Sequence, residues 1–341
     1  MTVVRVRHMS VRFRARALLV GLGCALAALA LGVLSIGGGD YPMSPADVLR
    51  TLAGNGTTAE NFIIGELRLP RLVTAMLVGA ALALGGAVFQ ALVRNPLGSP
   101  DILGVTQGAA TGALVVVVAG GGTLALAGAS VVGGLATGLL LWAVAWARGA
   151  HGHRLILAGI GIAAILTGVN GWLLTRAQLM DAARAVLWLT GSLDGRGWAQ
   201  AVPLAVTLAV LAPVVLFACG PALRMTELGD DTAAALGVPV RRLRTVLLIA
   251  AVLLVSVAAS AAGPVNFVAL TAPHLTRRLT RAPGPNLAAA TALGAAMLVA
   301  ADLVAQRGFP GHQLPVGVVT GAIGGGYLIW LLATERRAGR L

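Results

Sequence analysis

The chain has 341 residues, of which 57% are hydrophobic and only 11% are charged, with a mean hydropathy of +0.88. A water-soluble domain carries about 25% charged residues, so these values exclude a soluble globular domain and indicate a polytopic membrane protein. The formal net charge is +13 and all 25 basic residues are arginine, but they gather at the ends of apolar runs, which speaks for the positive-inside pattern and against a nucleic-acid partner.

A spanning helix needs about 20 mostly apolar residues. The stretches 17–36, 71–92, 103–119, 123–146, 155–175, 200–219, 244–262, 264–280, 286–305 and 315–333 meet that condition. They predict an all-α polytopic membrane protein of about ten transmembrane helices, one unit over residues 1–341. Residues 1–16 are a basic N-terminal segment with Arg5, Arg7, Arg12, Arg14 and Arg16. If it lies inside, so do Arg94, Arg148, Arg154, Arg224, Arg241, Arg242, Arg244, Arg277, Arg278, Arg281, Arg336, Arg337 and Arg340. The other side holds the smaller set Arg50, Arg68, Arg71, Arg176, Arg184, Arg196 and Arg307. This bias predicts that both termini are cytoplasmic. "GLGC" ahead of Ala25 has the look of a lipoprotein cleavage site, but the apolar run continues past Cys24, which predicts a retained span and no removed signal peptide. Two isolated cysteines, Cys24 and Cys219, make neither a disulfide framework nor a metal site.

The segment 37–70 contains "YPMSPADVLRTL", which predicts a short helix starting near Ser44 with Pro45 at its first position. In the third span Gly104, Gly108 and Gly112 recur every four residues, as Gly317, Gly321 and Gly325 do in the tenth. That spacing places each set on one helix face, where close backbone approach is possible. Residues 151–153 read "HGH" without a further ligand-rich segment, so no metal site is expected. Thr167 and Asn170 stand in the middle of the fifth span, where polar side chains either join helices or face a wet path. The segment 176–199, with "MDAARAVLWLTGSL", predicts an interfacial or re-entrant helix whose Trp188 and Trp198 suit the headgroup level. Asp302 is the one acid well inside a span, and pairing with an arginine near that membrane face is preferred to a proton relay.

The segment 220–243 is charged and lies between two apolar runs. Its "ELGDDTAAALGV" reads as a short helix with Gly229 or Asp230 at the cap, acids Asp230 and Asp231 in the first turn, and Gly237 as the stop before Pro239. The helix is too short and polar to span, and its small apolar face, with Leu228, Leu236 and Val238, suits docking as well as a solvated loop. The entries to the second and seventh spans, "RLPRLVTAMLVGAAL" and "RRLRTVLLIAAVLL", start from opposite sides. That is the mark of an inverted five-helix repeat. No catalytic constellation occurs, and the chain has no lysine, which a P-loop requires on the nucleotide phosphates. The chain is therefore not expected to be an enzyme, and any ATP hydrolysis must come from another subunit.

Four stretches in order, "RLPRLVTAMLVGAALALGGAVFQALVRNPLGSPDILGVTQGA" (68–109), "ELGDDTAAALGVPVRRLR", "GPVNFVALTAPHLTRRL" (263–279) and "ADLVAQRGFPGHQLPVGVVTGAIGGGYLIWLL", resemble the FecCD-type permeases of bacterial ABC importers. The resemblance runs from about residue 45 to the end. It implies a transport subunit of the cytoplasmic (inner) membrane for ferric siderophores, or alternatively haem or cobalamin, with no cofactor. An ion-coupled secondary transporter is the reading from another class. The resemblance further implies ATPase subunits, an extracytoplasmic substrate-binding protein and a second permease subunit, slightly favoured as an unlike chain. Glu227, Leu228, Gly229, Asp230, Asp231, Ala234, Leu236, Gly237 and Val238 match the ATPase-coupling segment. Arg68 and Arg71 match arginines that meet the binding protein. The usual arginine after "ADLVA" is replaced by Gln306, with Arg307 one place on and about 100° around the helix. By the same resemblance Thr167, Asn170, Gly171, Gly317, Gly321 and Gly325 line the translocation path. The "Pro-His-x-x-Arg" pattern is present with one arginine more, Arg278.

Overall fold

A short antiparallel hairpin, β1 (Thr2–Val6) and β2 (Met9–Phe13), precedes a helical body in the computed structural model, which describes residues 2–6, 9–13, 15–39, 41–146, 152–309 and 313–337. Arg7, Arg14, Arg148, His151 and Arg340 lie outside the described residues, as do the side chains of Arg5, Arg12, His153, Arg336 and Arg337. Helix α1 (Ala15–Gly37) carries exposed leucines along most of its length. Then comes α2 (Pro45–Arg50), which begins where Ser44 and Pro45 predict. The Asp47 N–H donates to Ser44 Oγ at 3.2 Å and the Ser44 N–H donates to Asp47 Oδ2 at 3.3 Å, a capping box, to which the Ser44 hydroxyl adds a bond to Asp47 Oδ2 at 2.6 Å. That hydroxyl holds the Asp47 carboxyl below the usual carboxylate range. A second capping box, Thr57 with Glu60, starts α3 (Thr58–Phe62), and a wide π-type turn over Ile63–Arg68 leads into α4 (Leu69–Val93).

Helix α4 is the centre of the protein. It is apolar all round, as buried helices are, and every residue over 78–90 is buried. Its neighbours approach through glycines. A Cβ on Gly79 would lie 2.3 Å from the Gly294 carbonyl, one on Gly85 2.9 Å from Val255, and one on Gly86 within van der Waals overlap of Ala269. Next in the chain come α5 (Val105–Val118), α6 (Thr123–Trp146), α7 (Gly152–Arg176), the surface helix α8 (Leu179–Leu189) and α9 (Trp198–Pro213). Pro213 removes a ladder donor, and the chain continues through a π-type turn, Val214–Cys219, into α10 (Gly220–Met225). The short α11 (Asp230–Ala235) precedes α12 (Val240–Ala262), α13 (Val268–Thr280), α14 (Leu287–Arg307) and α15 (Val316–Arg337).

Each of the ten expected spans is a helix, but not each is full length. Among the described residues eight helices are long and apolar enough to cross a membrane. The third and eighth are short: α5 has 14 residues and α13 has 13. At 1.5 Å per residue each is roughly 20 Å long, against about 30 Å of hydrocarbon. The cause is local. Pro96, Pro100 and Gly104 (φ +82°) keep the chain irregular up to Val105. Gly263, Pro264 and a left-handed Phe267 (φ 68°) delay α13. Both short helices therefore start inside the bundle. Gly104 abuts Ala163 in the middle of α7, and Phe267 abuts Gly324 in the middle of α15. The contacts follow the inverted repeat: α4 packs on α14 as α12 packs on α6, and α5 meets α7 as α13 meets α15.

Candidate functional site

The charged segment is an ordered projection at the arginine-rich end of the bundle. Gly229 caps α11 with φ 110°, a conformation that strains any other residue, and Gly237 (φ 85°) ends it. Asp230 sits between two helix ends: Arg244 Nη2 of α12 lies 2.8 Å away, and Arg94, the left-handed residue that terminates α4, donates to it as well. The same Arg94 guanidinium donates to the Thr226 carbonyl at 3.0 Å. Ala233 and Val238 are buried and fix the element to the body. Leu228 and Leu236 are 68% and 60% exposed, and Asp231 and Ala234 are exposed beside them. The segment thus presents two large apolar side chains on a short, rigid, acid-capped helix. Of its expected docking face, Val238 alone turns inward.

The residues matched to a path separate into two groups. Thr167, Gly171, Gly321 and Gly325 face open space on α7 and α15. Asn170 and Gly317 do not. Asn170 is 6% exposed and turned to α5, where its amide donates to Gln107 Oε1 at 3.2 Å and Thr111 Oγ1 donates to its Oδ1 at 2.6 Å. A Cβ on Gly317 would overlap the Thr190 carbonyl, and the Gly317 N–H donates to Gly191 at 3.0 Å. Both are packing positions. The glycines 108 and 112 likewise serve contact, against Gly133 and Ala129 of α6.

At the opposite end stand Arg68 and Arg71, matched to docking, and Arg307, one place from the usual arginine. Arg68 donates to the carbonyls of Ile36 (2.7 Å) and Tyr41 (2.9 Å). Arg307, exposed, donates to the Leu34 carbonyl at 2.5 Å, so the two guanidinium groups close the unsatisfied end of α1. Arg71 is bound inward. Its Nη2 lies 2.9 Å from Asp302 Oδ1 and its Nε 3.2 Å from Oδ2, a two-pronged pair, and Asp302 is 2% exposed. Gln306 Nε2 donates to the same carboxylate at 2.6 Å. Asp302 therefore pairs with an arginine, as preferred from the sequence. Arg71 Nη1 also reaches Gln313 Oε1 at 3.3 Å and Asp194 at 3.5 Å.

Sequence reasoning missed several partners. Gln107 and Thr111 complete the Asn170 triad, and their polarity inside the third span is the signal that could have found them. Arg94 was counted only as a topogenic charge, although it holds the charged segment. Among the described residues no three His, Cys, Asp or Glu converge as a metal site.

A family model described as the FecCD transport family matches residues 26–334. The chain is 43% identical over 333 residues to the ferric enterobactin transport system permease protein FepG of Escherichia coli K12, covering 97% of this chain and 99% of that one. It is 38% identical over 317 residues to the achromobactin transport system permease protein CbrC of Dickeya dadantii 3937, covering 91% and 90%. In three dimensions it is similar to a metal-chelate type ABC transporter solved in an inward-facing conformation, with a TM-score of 0.80, 27% identity, and coverage of 93% of this chain and 99% of that one.

Proposed function

We propose a function from one premise: the chain belongs to the FecCD transport family. It is a multi-pass membrane permease of an ABC importer. The cargo we assign is a ferric siderophore, and the near full-length match to a ferric enterobactin permease carries that assignment. In this reading the arginine-rich end and both termini face the cytoplasm. ATP is hydrolysed by separate subunits, which hold α11 in a groove through Leu228 and Leu236, with Glu227, Gly229, Asp230, Asp231, Ala234, Gly237 and Val238 shaping the element. A second permease subunit, favoured as an unlike chain, completes the path along α7 and α15 at Thr167, Gly171, Gly321 and Gly325. A binding protein delivers cargo to the opposite end, where Arg307 and Arg68, held against the end of α1, present their charge to its acids, while Arg71 is paired with Asp302.

Transport then proceeds by alternating access. Closure of the ATPase pair moves α11, and only contacts that differ between the two states can drive the helices. A path lined by glycine and threonine contributes little selectivity, so discrimination rests with the binding protein. The test is uptake of radioactive iron as a catecholate siderophore complex, in cells that lack their own siderophore permeases and carry this chain with its ATPase, partner permease and binding protein. Uptake should require an active ATPase and tolerate a protonophore. Uptake abolished by the protonophore points to ion coupling. Transport of haem or cobalamin without iron-siderophore assigns the other cargo.

A further inference from the structure

Helix α13 borders a cleft shared with the docking segment on one face and packs on α15 with another. Phe267, His274 and Arg278 are spaced by seven and four positions, so they lie on one stripe of the helix. Opposite them on α15 are Gly324, Tyr327 and Trp330, spaced by three. The Phe267 side chain occupies the place of a Cβ on Gly324, which would lie 2.3 Å from it. His274 Nδ1 is 2.6 Å from Tyr327 Oη, with the rings edge to face at 5.8 Å. The Arg278 guanidinium lies 5.1 Å from the centre of the Trp330 ring, and Tyr327 stands next to that ring at 5.9 Å. This seam holds the half of α15 that leads to the arginine-rich end.

Arg277 precedes Arg278 by one residue and therefore points about 100° away. It lines a cleft of about 360 Å³ together with Thr226 and Glu227 of the docking segment and Arg94 at the end of α4. Arg277 and Glu227 line this cleft together without a hydrogen bond or ion pair between them, and the buried Arg277 Nε has no hydrogen-bond partner among the described residues. Consecutive arginines of one helix thus face the two elements that transport must connect, Arg277 across a cleft and Arg278 in contact. Gln90 of α4 donates to the Leu270 carbonyl at 3.0 Å near the start of α13, at the buried end of the helix.

We propose that α13 is the lever that carries movement of the docking segment to α15, with Arg277, across the shared cleft from Glu227, on its input side and His274 and Arg278 as its output contacts. These are positioning residues and touch no cargo. A packed helix is a physical means of coupling, because it moves as one body. Arg278 is the arginine beyond the Pro-His-x-x-Arg pattern, so its contact with Trp330 is an addition to that pattern. The inference rests on the proposed ATPase docking and path, but not on the cargo.

The test uses the assembled transporter in lipid nanodiscs. Spin labels at Leu19→Cys on α1 and Ala333→Cys on α15, in a background with Cys24→Ser and Cys219→Ser, report the displacement of α15 on adding ATP. Both label sites are exposed. Arg278→Gln should lower the ATP-driven displaced population about fivefold while ATP hydrolysis and subunit association stay as they were, since a cation over a tryptophan ring contributes at about that level. Trp330→Leu should do the same, and Arg278→Lys, which keeps the cation, should restore the displacement. An unchanged displacement in Arg278→Gln and Trp330→Leu overturns the lever, as does a loss that follows hydrolysis, or no ATP-driven displacement in the unaltered complex. Uptake of iron-siderophore is measured separately. Its absence from an unaltered complex whose α15 still moves overturns the cargo assignment alone.

Discussion

Replacing Arg71 by leucine should destabilise the protein far more than removing a surface charge. Arg71 and Asp302 side chains are 16% and 3% exposed, and the pair is bidentate at 2.9 and 3.2 Å. Arg71→Leu strands a buried carboxylate whose remaining partner is Gln306 at 2.6 Å. Breaking a buried pair in this way costs about 3–5 kcal/mol. Asp302→Leu should cost somewhat less, because Arg71 retains Gln313 and the 75% exposed Asp194, an exposed pair worth about 0–1 kcal/mol. Arg71→Leu combined with Asp302→Leu removes both charges and should recover most of the loss. The assay is unfolding in mixed micelles by SDS titration, read by tryptophan fluorescence and arranged as a double-mutant cycle. Single variants that each lose less than about 1 kcal/mol, the level of a solvent-exposed pair, would refute the argument and place water at the pair.

Leu236→Asp and Leu228→Asp each put a charge where an apolar side chain is to be buried. Losing such a contact costs about 1.5–3 kcal/mol, so association with the ATPase should fall roughly tenfold or more in a pull-down, without loss of the folded permease. Gly79→Ala should overpack the crossing of α4 with α14 and cost about 1–3 kcal/mol, whereas Gly321→Ala, with nothing within 4 Å of the added methyl, should leave unfolding unchanged and alter uptake only. Asn170→Leu should lower stability by about 1 kcal/mol, the scale of a polar contact between membrane helices. Thr167→Val, on the open face of α7, should leave stability alone, as the same titration will show.

The positions of the helices were readable because an apolar run of sufficient length has few alternatives in a membrane. The capped start of α2 and the outline of α11 were readable for a similar reason: Ser-Pro, Gly and Pro act over a few residues. The direction a polar side chain faces was not readable. Thr167 and Asn170 are three apart, yet one faces open space and the other is buried against α5, since a rotation of the helix decides between them. Arg71 and Asp302 are 231 positions apart, so their pairing is set by the crossing of α4 and α14. Arg68 and Arg307 looked like free outer charges, and the carbonyls at the end of α1 that engage them carry no mark in sequence. The shortness of α5 and α13 was partly legible. Pro96, Pro100 and Gly104 before one, and Gly263 and Pro264 before the other, were visible as interruptions, but hydropathy ran through them.

Those two interruptions have a common physical requirement. A helix that starts inside a membrane protein leaves its first N–H groups without helical partners, and lipid offers none. Here they begin within protein. Asp101 accepts the Thr106 hydroxyl at 2.6 Å in the first turn of α5, and Ser99 Oγ accepts the Ile102 N–H at 3.3 Å. The two breaks lie at the depth where Gly104 meets α7 and Phe267 meets α15. The breaks fall on corresponding helices of the two halves, which in repeat-built transporters points to the substrate path. In this chain the glycines and prolines of the third and eighth spans therefore mark contact with α7 and α15, the two helices assigned to the path, and not the edge of the membrane.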